Sequence, residues 1–171
     1  MTDVAEPTNR IRNLWLRTRS IPGGTRLFSL LLGRIVPYTG SISPRVEELR
    51  DGYARVSMRD RRRLRNHLSS LHAMSIMNLA EAASGLALNY GLPDDARAIL
   101  TNLSIDYVKK ARGTLTAEAS FPTPSAAERA EHELPTVIRD ATGDVVARAV
   151  ARWLVGPREE TTSPSHSGLN D

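Results

Sequence analysis

Glu81 is the only acidic or basic side chain, histidines aside, between Arg65 and Asp94. It stands inside the run Leu71-His72-Ala73-Met74-Ser75-Ile76-Met77-Asn78-Leu79-Ala80-Glu81-Ala82-Ala83-Ser84-Gly85-Leu86-Ala87-Leu88, which is apolar on nearly every side. A helix that is hydrophobic all round is a buried helix. A carboxylate placed there must find partners or hold its proton more tightly, because desolvation disfavours the charged form. Such an acid is a candidate for general-base or nucleophilic chemistry. The plainer reading is a buried glutamate satisfied by a helix or arginine partner.

The remaining charge is mostly arginine. The 171 residues carry a formal net charge of +4, and the densest cluster is Arg59-Asp60-Arg61-Arg62-Arg63-Leu64-Arg65. Three readings fit it: solvated arginines on a strand edge or loop, a role near an anionic ligand, or nucleic-acid binding. The cluster is short, lacks interleaved aromatics and comes with no helix-turn-helix or finger signature, which weighs against nucleic acid. The chain has no cysteine and four scattered histidines. Disulfides and thiol nucleophiles are therefore excluded, and no metal site is expected. His72, Asn78 and Glu81 interrupt the longest apolar run, so no membrane span is expected. Residues 1–7 are acidic and lack the apolar segment of a signal peptide, which points to a cytoplasmic protein.

The elements that must position Glu81 can be read from periodicity. Ile11, Leu14, Trp15 and Leu16 predict a helix over residues 8–20, broken by Pro22-Gly23-Gly24. A second helix is expected over 25–36, closed by Pro37. Strand signals cover 41–49, and Asp51-Gly52 marks a turn into an alternating strand over 53–58. Residues 66–70 form a loop into the buried helix, with Ser69 or Ser70 as its N-cap, and Gly91-Leu92-Pro93 ends that helix. Further strands are expected over 98–108, 113–121, 134–139 and 144–155, with 122–133 as a surface connection. One long helix among antiparallel strands gives an α+β architecture, a sheet wrapped around a single central helix. A curved sheet covers most of that helix, and a partner subunit can cover the rest. The division is a helical extension over 1–40, the main domain over 41–157 and a disordered tail over 158–171.

Asn66-His67-Leu68-Ser69-Ser70-Leu71-His72-Ala73-Met74, followed by Leu79-Ala80-Glu81 and Gly85, resembles the hot-dog fold thioesterases, above all those of the phenylacetate-pathway type. Their motif runs Asn, loop, His-Gly-Gly, then Asp or Glu along the helix. The stretch from Asp106 to Ala117 is similar to that family's aromatic, basic and glycine-bearing strand pair, and Thr142-Gly143-Asp144 to its closing hairpin. This chain departs from the pattern at Ala73-Met74, where Met74 adds bulk beside the reacting carbonyl.

The resemblance implies an acyl-CoA or acyl-carrier thioesterase without cofactor, coenzyme A entering only as part of the substrate. Glu81 would act as base or nucleophile, Asn66 would orient the water or the thioester, and His72 with the Ala73 amide would hold the carbonyl oxygen. The plainer alternatives are a turn role for Asn66 and a packed His72. Met74 would neighbour the reacting carbonyl, and Lys109, Lys110 and Arg112 could pair with coenzyme A phosphates, or be solvated hairpin charges. Nine residues at about 100° each set His72 and Glu81 on opposite helix faces. A homodimer, or a tetramer built from it, resolves this if Glu81 of one subunit meets Asn66 and His72 of the other across sheets joined edge to edge. The rivals are an acyl-thioester binder without turnover and a nucleic-acid binder using the arginine cluster.

Overall fold

A computed structural model describes residues 9–158. Three helices come first: α1 (Arg10–Thr18), α2 (Gly24–Ile35) and α3 (Pro37–Ser41). Then follow β1 (Arg45–Arg50), β2 (Tyr53–Met58), the long helix α4 (Ala73–Gly91), β3 (Ala96–Tyr107), β4 (Leu115–Ser120), β5 (Ala130–Arg139) and β6 (Val145–Pro157). The six strands form one antiparallel sheet in the order β1-β2-β4-β5-β6-β3. The chain therefore leaves β2, runs through α4 and re-enters the sheet at its far edge.

The alternation in 53–58 does what its period requires. Ala54, Val56 and Met58 are fully buried against the helix. Gly52 turns the chain between β1 and β2 at φ 61°, and a Cβ there would lie 2.0 Å from the Phe121 carbonyl oxygen. No L side chain fits that position. α4 is sunk into the sheet by small residues on both sides: Ala80, Ala83 and Ala87 of the helix, and Ala117, Ala119, Ala147 and Ala149 of the strands, are all buried.

The N-terminal helices are tied to this body at both ends. Trp15 and Phe28 meet edge to face with centroids 5.0 Å apart. At the end of α4, Asn9 Nδ2 donates to the Asn89 and Leu92 carbonyls, while Arg12 Nε donates to the Tyr90 carbonyl at 2.8 Å and its Nη2 to Leu92. These oxygens lie at the helix C-terminus, where carbonyls lack intrahelical donors. At the sheet, the Val46 N–H of β1 donates to Ser29 Oγ of α2 at 2.9 Å, and Ser29 in turn donates to the Thr25 carbonyl.

Several expectations need correction. Helices expected over 8–20 and 25–36 occupy Arg10–Thr18 and Gly24–Ile35. Pro37 does not merely end the second; it opens an extra short helix, in keeping with the preference of proline for a first helical turn. The strand expected over 41–49 consequently begins only at Arg45. The supposed surface connection over 122–133 ends early, because β5 starts at Ala130, where the long ladder with β6 overrides weak local propensity. Neither Ser69 nor Ser70 caps α4. The backbone is still extended at Leu71, which bridges to Arg65, and Ser70 Oγ donates instead to the Ala111 carbonyl at 2.8 Å. The cap is His72, whose Nδ1 accepts the Met74 N–H at 3.1 Å. Arg158, placed in the tail by sequence, donates its backbone N–H to the Asp95 carbonyl, and the rest of 158–171 lies outside the described residues.

Candidate active site

α4 is buried around most of its circumference, and one stripe escapes. Met77, Glu81, Gly85 and Asn89 are half-buried at intervals of four residues, continuing from the exposed Ala73 at the helix start. Residues four apart stack on one helix face. Glu81 sits in the middle of this stripe. Among the described residues its carboxylate has no hydrogen bond and no ion pair, and burial alone pushes its pKa up. No arginine clamps it among the described residues. One turn further on, Gly85 faces the ring of Trp153 on β6, where an added Cβ would lie 3.2 Å from the indole, and the buried Trp153 Nε1 has no acceptor among the described residues.

The loop before α4 and the end of β3 enclose a separate cavity of about 360 Å³, lined by Asn66, Ala73, Tyr107, Lys109 and Lys110 among others. Asn66 Oδ1 accepts the Leu68 and Ser70 N–H groups at 2.9 and 3.2 Å, so the amide oxygen shapes its own turn. Its Nδ2 has no acceptor among the described residues. The Ala73 N–H, in the first turn of α4, likewise has no backbone acceptor. A half-buried amide donor and a free helix-terminal N–H on one wall suit a carbonyl or oxyanion. Tyr107 lines the cavity and donates its hydroxyl to the Ala73 carbonyl at 3.0 Å. Sequence reasoning passed over Tyr107 as a site residue; its only local signal was an aromatic at a strand end beside two lysines.

Of the residues singled out in the sequence, Asn66, Ala73, Lys109 and Lys110 thus share one cavity. Glu81, His72, Met74 and Arg112 do not line it. Met74 is 51% exposed, and its N–H is engaged by His72. Lys109 is committed to carboxylates: Nζ lies 2.8 Å from Asp140 and 2.5 Å from Asp144, which lowers the Asp140 pKa well below the carboxylate range. Lys110 and Arg112 are exposed and carry no ion pair among the described residues.

One further relation joins these regions. β3 is 12 residues long and pairs with β6 alone, so its other side is an open sheet edge among the described residues.

A family profile described as a domain of unknown function, DUF4442, matches residues 24–155. The chain belongs to this family. No curated protein matches it in sequence. Among solved structures, a structural-genomics protein, APC5556, is 29% identical, with a TM-score of 0.73 over 86% of this chain and 96% of that one. PA5026 of Pseudomonas aeruginosa, described as a probable thioesterase, is 23% identical, with a TM-score of 0.69 over 79% of this chain and 95% of that one. Thioesterase HI1161 of Haemophilus influenzae is 14% identical, with a TM-score of 0.67 over 77% of this chain and 92% of that one. The fold is the hot-dog fold that these structures share, a six-stranded antiparallel sheet packed on one long helix. Among the described residues no helix is long and apolar enough to cross a membrane.

Proposed function

We propose that this protein hydrolyses an acyl thioester, of coenzyme A or of an acyl carrier, as a homodimer in the cytoplasm. The observation that carries the reading is Glu81: half-buried, without a partner among the described residues and raised in pKa by burial, at the centre of the half-buried stripe of α4. A structural glutamate would be expected to hold a partner.

As general base, the Glu81 carboxylate takes a proton from water while the water oxygen bonds to the thioester carbonyl carbon. Collapse of the tetrahedral oxyanion breaks the C–S bond, and the thiolate departs with the proton returned from Glu81. The products are a carboxylic acid and a free thiol. The Ala73 N–H and Asn66 Nδ2 are the donors suited to the oxyanion, with Tyr107 fixing the backbone of Ala73 from behind.

Glu81 and these donors do not share a cavity within one chain, which favours assembly of the site from two copies. The open edge of β3 supports the same reading, since a long edge strand left bare is prone to pair with another chain. Pairing β3 with its copy joins two sheets edge to edge and brings the second subunit over the Glu81 stripe.

One observation favours a second reading, an acyl-thioester binder with little turnover. His72 occupies the Met74 N–H, which removes one donor from the start of α4. A free-thiol assay over a panel of acyl-CoA substrates separates the two. Thiol release by wild type and its loss in Glu81→Gln is expected. Equal release by both proteins would remove Glu81 from the mechanism, and binding without release by either would establish the binder.

A further inference from the structure

A second cavity lies apart from both the Glu81 stripe and the Asn66 cavity. It measures about 800 Å³ and opens between α2, α3, the start of β1 and the arginine-rich turn after β2. That volume falls in the range of small-molecule sites.

Five arginines line it: Arg26 and Arg34 from α2, Arg45 from β1, and Arg59 and Arg61 from the turn. None of the five makes an ion pair or side-chain hydrogen bond among the described residues. The only acidic residue in the lining is Glu47, whose Oε1 accepts from Ser57 Oγ at 2.7 Å. Elsewhere some cations are paired, Arg55 with Glu118, Arg65 with Asp60, Lys109 with Asp140 and Arg152 with Glu133, while others are singly exposed; here five share one concave surface. Like charges gathered on a concave surface repel one another and raise the local potential, and an anion relieves both.

The walls are built rather than accidental. Arg26, Ser29, Leu30, Gly33 and Arg34 all line the cavity, at spacings of three, four, seven and eight residues, so one whole face of α2 is given to it. Ser29 anchors that face to β1 through the Val46 N–H. Gly33 packs on Gly40 so closely that a Cβ on Gly40 would lie 2.4 Å from the Gly33 oxygen, which fixes α3 against α2. Arg63 donates to Ser43 at 2.7 Å, and Asp60 accepts the Gly113 N–H at 3.0 Å, so the turn is held from both sides. Arg26 and Arg34 stand eight residues apart, about 12 Å along the helix axis. Five cationic side chains spread over that length suit an anion carrying several charges.

We infer that this cleft binds a small, multiply phosphorylated anion through Arg26, Arg34, Arg45, Arg59 and Arg61. The inference does not rest on the thioesterase reading. Two sources share the chemistry: a free nucleotide or polyphosphate, and the nucleotide end of a coenzyme A substrate.

Calorimetric titration of the full-length protein at low salt, with pyrophosphate, ATP and coenzyme A as separate probes, tests it. Saturable binding of at least one probe is expected. Affinity should fall at least about tenfold in Arg26→Gln/Arg34→Gln and in Arg59→Gln/Arg61→Gln, as loss of two charge-assisted phosphate contacts implies. All four side chains are exposed, so circular dichroism and thermal midpoint in buffer should not change. Arg10→Gln/Arg17→Gln, on the exposed face of α1 and outside both cavities, is expected to bind as wild type does. Binding of coenzyme A alone would identify the substrate's own nucleotide, whereas binding of ATP or pyrophosphate as well identifies a free ligand; either supports the site. Absence of binding to all three probes overturns it. So does equal weakening in the Arg10/Arg17 variant, or binding confined to phosphatidylglycerol vesicles or duplex DNA. Cleavage of a pantetheine thioester, which lacks phosphates, should be the same in wild type and the Arg26/Arg34 variant, so failure of either reading leaves the other standing.

Discussion

The two edges of the sheet are treated in opposite ways. At the β1 edge, α2 lies alongside, and its Ser29 hydroxyl accepts the Val46 N–H, so the edge is closed from within the chain. At the other edge β3 runs for 12 residues with a neighbour on one side only. Beside the closed edge lies a cleft lined by five arginines that carry no ion pair among the described residues, and the half-buried acid of α4, Glu81, has no ion pair among them either. An edge sealed by the protein's own helices is free to build a site by itself. An edge left bare shares its chemistry with whatever pairs to it, and under the proposed function that is a second copy.

The comparison is broken most directly at Glu81. Glu81→Gln should lower thioester hydrolysis by at least about 100-fold, the usual contribution of a general base, while leaving the melting transition intact. Normal turnover by that variant would leave the open side without a function. Next in size is Met77→Asp, which sets a charge on the same stripe one turn before Glu81. A buried unpaired charge at an interface costs about 2–5 kcal/mol, so sedimentation at micromolar concentration should show a dimer giving way to monomer, with activity falling alongside. A variant still dimeric would mean that the stripe is not covered. At the closed edge, Ser29→Ala strands the buried Val46 N–H and should cost about 1–3 kcal/mol in urea unfolding, without altering sedimentation.

The smallest effect is in pH. Burial raises the Glu81 pKa, so the folded state holds that proton more tightly than the unfolded chain does. The stabilisation this gives is fully present below the ordinary glutamate pKa and is lost as pH rises through the raised value. Wild type should therefore lose stability relative to Glu81→Gln across that window. Its kcat/KM should have an acid limb above the ordinary carboxylate range.

Much of this was legible in the chain. The period-2 pattern of residues 53–58 and the apolar run around Glu81 predicted β2 and α4 because burial on one face, or on nearly all faces, leaves a periodic trace. What could not be read were features fixed by distant partners. Lys109 was visible as a cation, but Asp140 and Asp144, which hold it, come from the far hairpin. Ser70 has the chemistry of a helix cap and is diverted by the carbonyl of Ala111, 41 residues on. Residues 130–133 contain no β-branched side chain and become strand because β6 runs long enough to pair with them. Arg26 and Arg34 carry no local signal of a site; only the fold sets β1 and the arginine turn opposite them.

Asn9 and Arg12 hold three terminal carbonyls of α4. The segment before the hot-dog core is therefore part of the same cooperative unit as the helix that bears Glu81. A relative trimmed back to sheet and helix must solvate those oxygens with water or supply other donors. Removal of the first eighteen residues from this protein should fray the last turn of α4, visible as faster amide exchange at Leu92, whose N–H donates to Leu88.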